Sequence, residues 1–386
     1  MFLQHKGSGK EKRVYICRSY RLKRGDKTST EIVEKLGTLM DIEAAHPGVD
    51  PMEWAKARCA ELTRLAKKAR KPVKVELDPA ARVSTRKQHP VTGGMIPLMR
   101  PFFQWMGIGR ICKDIKARHR FKFDLEGIME ALCFGRVLCP DSKVATLESS
   151  KSFVTGTDAS IEDVYLALSV MAKESTFIQK ELYRNTKKAG KRNTGIIYYD
   201  CTNYYFEIEK DDSDSYDAKE HRSNPIVQCG LLMDAEGMPL AFCINPGNNP
   251  VDLLTIIPLE EAPHDFIKTS RFNSEIESLF RIPQTGLSIK PDSLQRKDLI
   301  ISHFTIGFIA LLMVKRLQQE LGGECAVDKI IGELRDMRYI CREGAGYIAA
   351  FSPSPLKDKF NQLTDSCLDA EFIPGKTMRA ILKKQR

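Results

Sequence analysis

Apolar and polar residues alternate with a period of two along Arg13–Arg21 (RVYICRSYR) and again along Glu31–Leu39 (EIVEKLGTL). Strict alternation is the pattern of a half-buried strand. Gly25-Asp26 between the two segments is turn chemistry, so the pattern predicts a hairpin or small sheet. The period then changes to that of a helix. Trp54, Ala55, Ala60, Leu62 and Leu65 lay an apolar stripe behind Asp50-Pro51, a cap residue followed by the residue favoured at the first helical position. The polar, Pro-containing stretch 76–92 reads as a linker. From 93 to 192 the spacing is almost wholly helical. Leu125–Leu138 carries Ile128, Ala131, Leu132 and Val137 and stops at Cys139-Pro140. Asp141-Ser142-Lys143 opens another helix with a good cap, and Ser160–Gln179 predicts a further one through Ile161, Val164, Leu166, Leu168 and Met171. The short period returns in Ile196–Tyr199, Pro225–Asp234 and Met238–Asn245, which predict an antiparallel meander. Phe304–Val314, 11 residues, is the longest apolar stretch. A membrane span needs about 20, so the run is expected to be a core helix.

These elements divide the chain into five regions: a small β region with a helix (1–75), the linker (76–92), a helical region (93–192), an α/β core (193–321) and a C-terminal tail region (322–386). Composition adds a partner class. The chain has 386 residues, 60 Lys+Arg against 50 Asp+Glu, a net charge of +10 and a pI near 9.0. Such a balance favours anionic partners, of which nucleic acid is the commonest. Two basic clusters stand out. Lys67, Lys68, Arg70 and Lys71 follow the first helix, and Lys187, Lys188, Lys191 and Arg192 follow the helical region. The first cluster reads either as a phosphate-tracking surface or as a solvated helix end that complements the dipole, and the second as a basic, Gly-containing loop leading into the following strand; both are candidate DNA contacts. Eleven cysteines contain no C-x-x-C pair, which argues against structural zinc and for free thiols in a reducing cytosol. The opening Met1-Phe2-Leu3 turns polar and basic at once, so no secretory leader is expected.

The candidate chemistry centres on Ile196–Glu209 (IIYYDCTNYYFEIE). An apolar, β-branched and aromatic run ends in one carboxylate, Asp200. Open α/β sheets present ligands at the carboxyl ends of their strands, and a carboxylate there wants a cationic partner such as a metal. The plainer reading is a turn-forming Asp, since Asp-Cys-Thr-Asn is also turn chemistry.

Several stretches together resemble the DDE transposases of bacterial insertion sequences, which have a ribonuclease-H-like catalytic core. The string Tyr198-Tyr199-Asp200-Cys201-Thr202-Asn203-Tyr204-Tyr205-Phe206-Glu207 carries the resemblance most clearly. Lys35–Leu39, Arg136–Lys143 (RVLCPDSK), Lys219–Arg222, Gly230–Pro239, Pro246–Asn248 and Ile301–Leu317 follow the family's order. The resemblance implies an α/β fold and phosphoryl transfer on double-stranded DNA, at element ends and target. It implies Mg²⁺, with Mn²⁺ able to substitute, held by Asp200 and by Glu277 of the Ile276–Arg281 pattern. It also implies a homodimer on DNA, no membrane association and a bacterial, nucleoid-associated cytoplasmic location. Glu277 alternatively pairs with Arg281 on an exposed helix. The chain departs from the family in three ways. Gln284, behind Pro283, stands where the family has Lys, and Ser270 and Asn273 stand where it has Tyr and Arg. Asp200 and Glu277 are only 77 positions apart. Between them no sequence reads as the fourth strand that ends in the family's second catalytic Asp, and neither Asp252 nor Asp265 replaces it. The expectation is an internally deleted core of three strands, either still catalytic or a remnant that binds only DNA or its own subunits.

Overall fold

A computed structural model describes residues 1–7, 9, 12–21, 28–68, 88–190, 192–194, 197–205, 226–246, 267–269 and 297–386. The chain forms two compact units, Met1–Ala80 and Ala81–Arg386.

In the first unit, β1 (Phe2–Lys6), β2 (Arg13–Arg21) and β3 (Thr28–Thr38) form an antiparallel sheet in that order. Of the two expected forms, a hairpin or a small sheet, the chain takes the sheet, with β1 as its third strand. β1 escapes the period-two reading because it is an edge strand exposed at most positions. Thr38 and Asp41 form a reciprocal capping box at the start of α1 (Leu39–Ala45), with Thr38 N donating to Asp41 Oδ2 at 2.7 Å and Asp41 N donating to Thr38 Oγ1 at 3.1 Å. α2 (Pro51–Lys68) begins as predicted. Asp50 Oδ1 accepts from Met52 N at 3.0 Å and Glu53 N at 2.8 Å. Val14, Ile42 and Ala55 form the buried centre of this small unit.

The second unit is a mixed α/β body. Its helical part comprises α3 (Ile96–Arg100), which runs on into a π-helical turn at Pro101–Trp105, then α4 (Ile108–Arg118), α5 (Leu125–Leu138), α6 (Lys143–Ser150), α7 (Ile161–Lys173) and α8 (Ser175–Ala189). The cap at α6 is the predicted one: Ser142 Oγ accepts from Ala145 N at 3.2 Å. The single helix expected over Ser160–Gln179 is two helices, broken at Glu174. The apolar run Phe304–Val314 lies inside α9 (Lys297–Glu320) and is buried at every position. α9 is long and apolar enough to cross a membrane, yet 72% of its apolar window is buried within the protein. It packs on α5, α7 and the neighbouring sheet.

That sheet contains β5 (Ile197–Tyr205), β6 (Ile226–Met233), β7 (Pro239–Pro246) and β8 (Ile267–Thr269), in the order β7-β6-β5-β8. β5, β6 and β7 form the predicted antiparallel meander. β8 corrects the expectation of a core lacking its fourth strand: it lies parallel to β5, with Ile197 opposite Ile267 and Tyr199 opposite Thr269. A strand of three residues is too short for a period of two to register.

A third sheet corrects two boundaries. β4 (Gln88–Thr92), from the stretch read as linker, pairs with β9 (Arg338–Arg342). The order is β11-β10-β9-β4, with β10 at Gly346–Ala349 and β11 at Phe372–Pro374. The region read as a tail is therefore structural. α10 (Val327–Asp336), α11 (Pro355–Leu363) and α12 (Gly375–Gln385) place Leu334, Phe360 and Met378 in the same core as α9, and β9 adds Tyr339. Gly94 lets the two ends of this unit meet. A Cβ there would stand 1.8 Å from the Leu334 carbonyl oxygen, so no other residue fits without backbone movement. The Gly25-Asp26 turn lies outside the described residues.

Candidate functional site

β5 is flanked by β6 on one side and β8 on the other. Asp200 lies opposite Leu231 of β6. The preceding residue, Tyr199, makes the last pairing with β8, at Thr269. Asp200 thus stands one residue past the last pairing with β8 but inside β5, which stays paired with β6 as far as Tyr205, so it lies neither at the end of its strand nor in a turn, the two placements the sequence suggested. The Asp200 side chain and the whole of Glu277 lie outside the described residues. Among the described residues no group of three His, Cys, Asp or Glu side chains is arranged to hold a metal. In the sequence, β8 is followed by Ser270-Arg271-Phe272-Asn273, with no carboxylate among them.

The predicted DNA-contacting residues separate into three groups. Arg70, Lys71 and Lys191 lie outside the described residues, as do the side chains of Lys67 and Lys68 at the end of α2. Lys187 and Lys188 are exposed in the last turn of α8, with the Lys187 ammonium 5.9 Å from the Tyr183 ring centre.

Arg192 is a correction, because its side chain is only 5% exposed and serves the fold. Arg192 Nε pairs with Asp234 Oδ2 at 2.9 Å, Nη1 donates to Thr186 Oγ1 at 2.8 Å, and Nη2 donates to the Pro239 carbonyl at 2.6 Å. Asp234 in turn accepts the backbone N–H groups of Glu236 at 3.1 Å and Met238 at 2.9 Å, closing the turn between β6 and β7. Gly237 takes the left-handed conformation that this turn requires, with φ +73°. Burial pushes the Asp234 carboxyl above its ordinary pKa, and the Arg192 charge opposes that shift. Arg192 is therefore a clamp that holds the β6–β7 hairpin to α8. A basic residue in a Gly-containing loop gave no sign of this, because its partner lies 42 positions away.

α8 carries further cations that lie outside the two basic clusters. Lys180 and Arg184 are exposed two turns and one turn, respectively, before Lys187 and Lys188. Their signal was present in the sequence as a helical spacing, not as a run of adjacent charges. The helix is held firmly against the sheet and α9. Gln179 Oε1 accepts from the Phe242 N–H of β7 at 2.8 Å, and the Ser175 and Thr305 hydroxyls lie 2.9 Å apart.

No protein-family model, curated protein or solved structure matches the chain.

Proposed function

We propose that the chain is a DDE-type transposase with a ribonuclease-H-like core, which binds double-stranded DNA and carries out phosphoryl transfer at Asp200. The observation that carries this reading is the parallel strand β8 beside β5, with Asp200 one residue past their last pairing. The resemblance calls for such a strand, parallel to the Asp200 strand and lying between the meander and Glu277. The donor set suits Mg²⁺ as far as it goes: Asp200 and Glu277 offer hard oxygen ligands and leave positions for substrate phosphate. Bound there, the metal supplies charge neutralisation and activates the attacking oxygen of an in-line displacement. Asp200 and Glu277 would hold it, and Mn²⁺ offers the same preference for oxygen. A homodimer that bridges two DNA ends, in the bacterial cytoplasm on the nucleoid, belongs to the same proposal.

One observation favours a second reading, a remnant that binds DNA or its own subunits without cutting. The residues after β8 contain no carboxylate where the family has its second Asp. A nicking and strand-transfer assay with Mg²⁺ or Mn²⁺, on duplexes carrying the element's end sequences, separates the two. The enzyme reading expects metal-dependent cleavage that disappears in Asp200→Ala and Glu277→Ala while binding persists. Binding without cleavage by the parent chain supports the remnant. Absence of both sinks the transposase reading.

A further inference from the structure

α8 is amphipathic. Ile178, Gln179, Leu182 and Thr186 are buried against the body of the protein, and Lys180, Arg184, Lys187 and Lys188 are exposed on the opposite side. The four cations stand at i, i+4, i+7 and i+8, a single helical stripe with the half-buried Tyr183 among them. They line an open groove of about 460 Å³. Glu181 is the only acid between Lys180 and Lys188, and its carboxylate is already engaged by Arg184 at 2.6 Å. Four cations against that one acid give this stretch of α8 a positive formal charge over about 12 Å of helix.

The plain explanation, a helix end complementing its dipole, covers only part of this. The dipole acts within the last turn, which holds Lys187 and Lys188. Lys180 and Arg184 lie further back and are not accounted for by it. An anionic membrane is a poor fit, because an interfacial helix turns its apolar face to the lipid. On α8 that face is covered by the protein's own core. A polyphosphate backbone needs only a fixed row of cations. α8 is fixed by its bonds to Phe242 and Thr305 and by Arg192, whose guanidinium grips Thr186 at 2.8 Å.

We propose that the outer face of α8 is a docking surface for the phosphate backbone of double-stranded DNA, with Lys180, Arg184, Lys187 and Lys188 meeting phosphates without reading bases. This rests on the DNA-binding part of the proposed function and gives it a location on the second unit, Ala81–Arg386. The test is fluorescence anisotropy on a duplex of arbitrary sequence, titrated at several salt concentrations, with the full chain. One variant carries Lys180→Gln, Arg184→Gln, Lys187→Gln and Lys188→Gln. A control removes the same charge from the exposed face of α4 and the residues after it, through Arg110→Gln, Lys113→Gln, Lys116→Gln and Arg120→Gln. The α8 variant is expected to bind at least about tenfold more weakly, with a salt slope shallower by about three, at about 0.9 for each phosphate that is no longer neutralised. The α4 control is expected to keep most of the parent slope. Equal weakening in both variants would reduce the effect to net charge and overturn the proposal. Unchanged binding by the α8 variant would overturn it while leaving DNA binding intact. A parent chain that binds no duplex removes the proposed function and this surface together. Selective weakening of binding to single-stranded RNA or phosphatidylglycerol vesicles, with duplex binding unchanged, would assign the stripe to another partner and overturn it as well.

Discussion

Glu174 ties the break between α7 and α8 to the end of α4. It ends α7 and precedes α8, and its carboxylate accepts from Arg118 Nη2 at 2.6 Å and lies 2.7 Å from His119 Nε2. The hydrogen bond from Arg118 is the main reason its carboxyl titrates below the ordinary value of 4.5. A lowered carboxyl stabilises the fold above its ordinary pKa, and that contribution is lost as pH falls through the lowered one. Glu174→Gln is therefore expected to cost about 1–2 kcal/mol at pH 7, since the Glu is mostly buried while Arg118 is exposed to solvent. The gap between variant and parent closes as pH drops below about 4.5. Urea midpoints at pH 7 and at progressively lower pH measure both limbs. A gap that stays constant into acid would show that Glu174 acts by packing alone. Neither Glu174 nor Arg192 was legible as a structural residue in the sequence. Each one's role depends on a partner far away in the chain: Arg118 is 56 positions from Glu174, and Asp234 is 42 from Arg192. Local pattern carries no information about such pairs.

At the scale of elements, legibility followed length. The 14-residue α5 and the meander from β5 to β7 were readable because each has several turns or alternations in which to repeat its pattern, and the caps at Ser142 and Asp50 because their side chains bond to backbone within three residues. β8 and β11, at three residues each, were not. β4 was hidden by its own composition, since Gln88-His89-Pro90 resembles a linker until β9 is placed beside it. Pro90 lacks the N–H that a central strand would need, and edge strands tolerate this; β4 lies at the edge of its sheet. The docking of β4 and α3 onto the C-terminal elements turns on Gly94 and its close approach to Leu334. Gly94→Ala is expected to destabilise by about 1–3 kcal/mol, because a new methyl group would meet an immovable carbonyl. Gly332, inside α10, has open space where its Cβ would be. Gly332→Ala should therefore stabilise by about 0.5–1 kcal/mol through reduced backbone entropy in the unfolded chain. Thermal or urea unfolding of the two variants side by side gives opposite signs. The same sign for both would mean that the approach of Gly94 to Leu334 does not constrain the fold.

For the whole molecule, the division of the chain decides which pieces can stand alone. Sequence pattern suggested a core ending near Leu321 with a separate C-terminal tail region behind it. The core instead recruits Val327, Leu334, Tyr339, Phe360 and Met378 from beyond that point, and β9 pairs back to β4 across about 250 positions. Long-range pairing of this kind has no signature in a single sequence, because neither strand announces its partner. Removing residues 322–386 would expose the apolar faces of α5 and α9 that these side chains cover, and would leave β4 without a sheet. That truncated chain is expected to be insoluble or to lack a cooperative transition. Removing residues 1–80 takes away a separate compact unit with its own buried centre at Val14, Ile42 and Ala55. The remaining 81–386 is expected to melt cooperatively and to keep whatever duplex binding resides on α8. Circular dichroism melts of the two truncations, with anisotropy on the second, measure both outcomes. A soluble, cooperatively folding 1–321 would show that the C-terminal elements only decorate a self-sufficient core. Loss of all DNA binding from a folded 81–386 would move the phosphate-binding surface to the first unit, where Lys67 and Lys68 close α2.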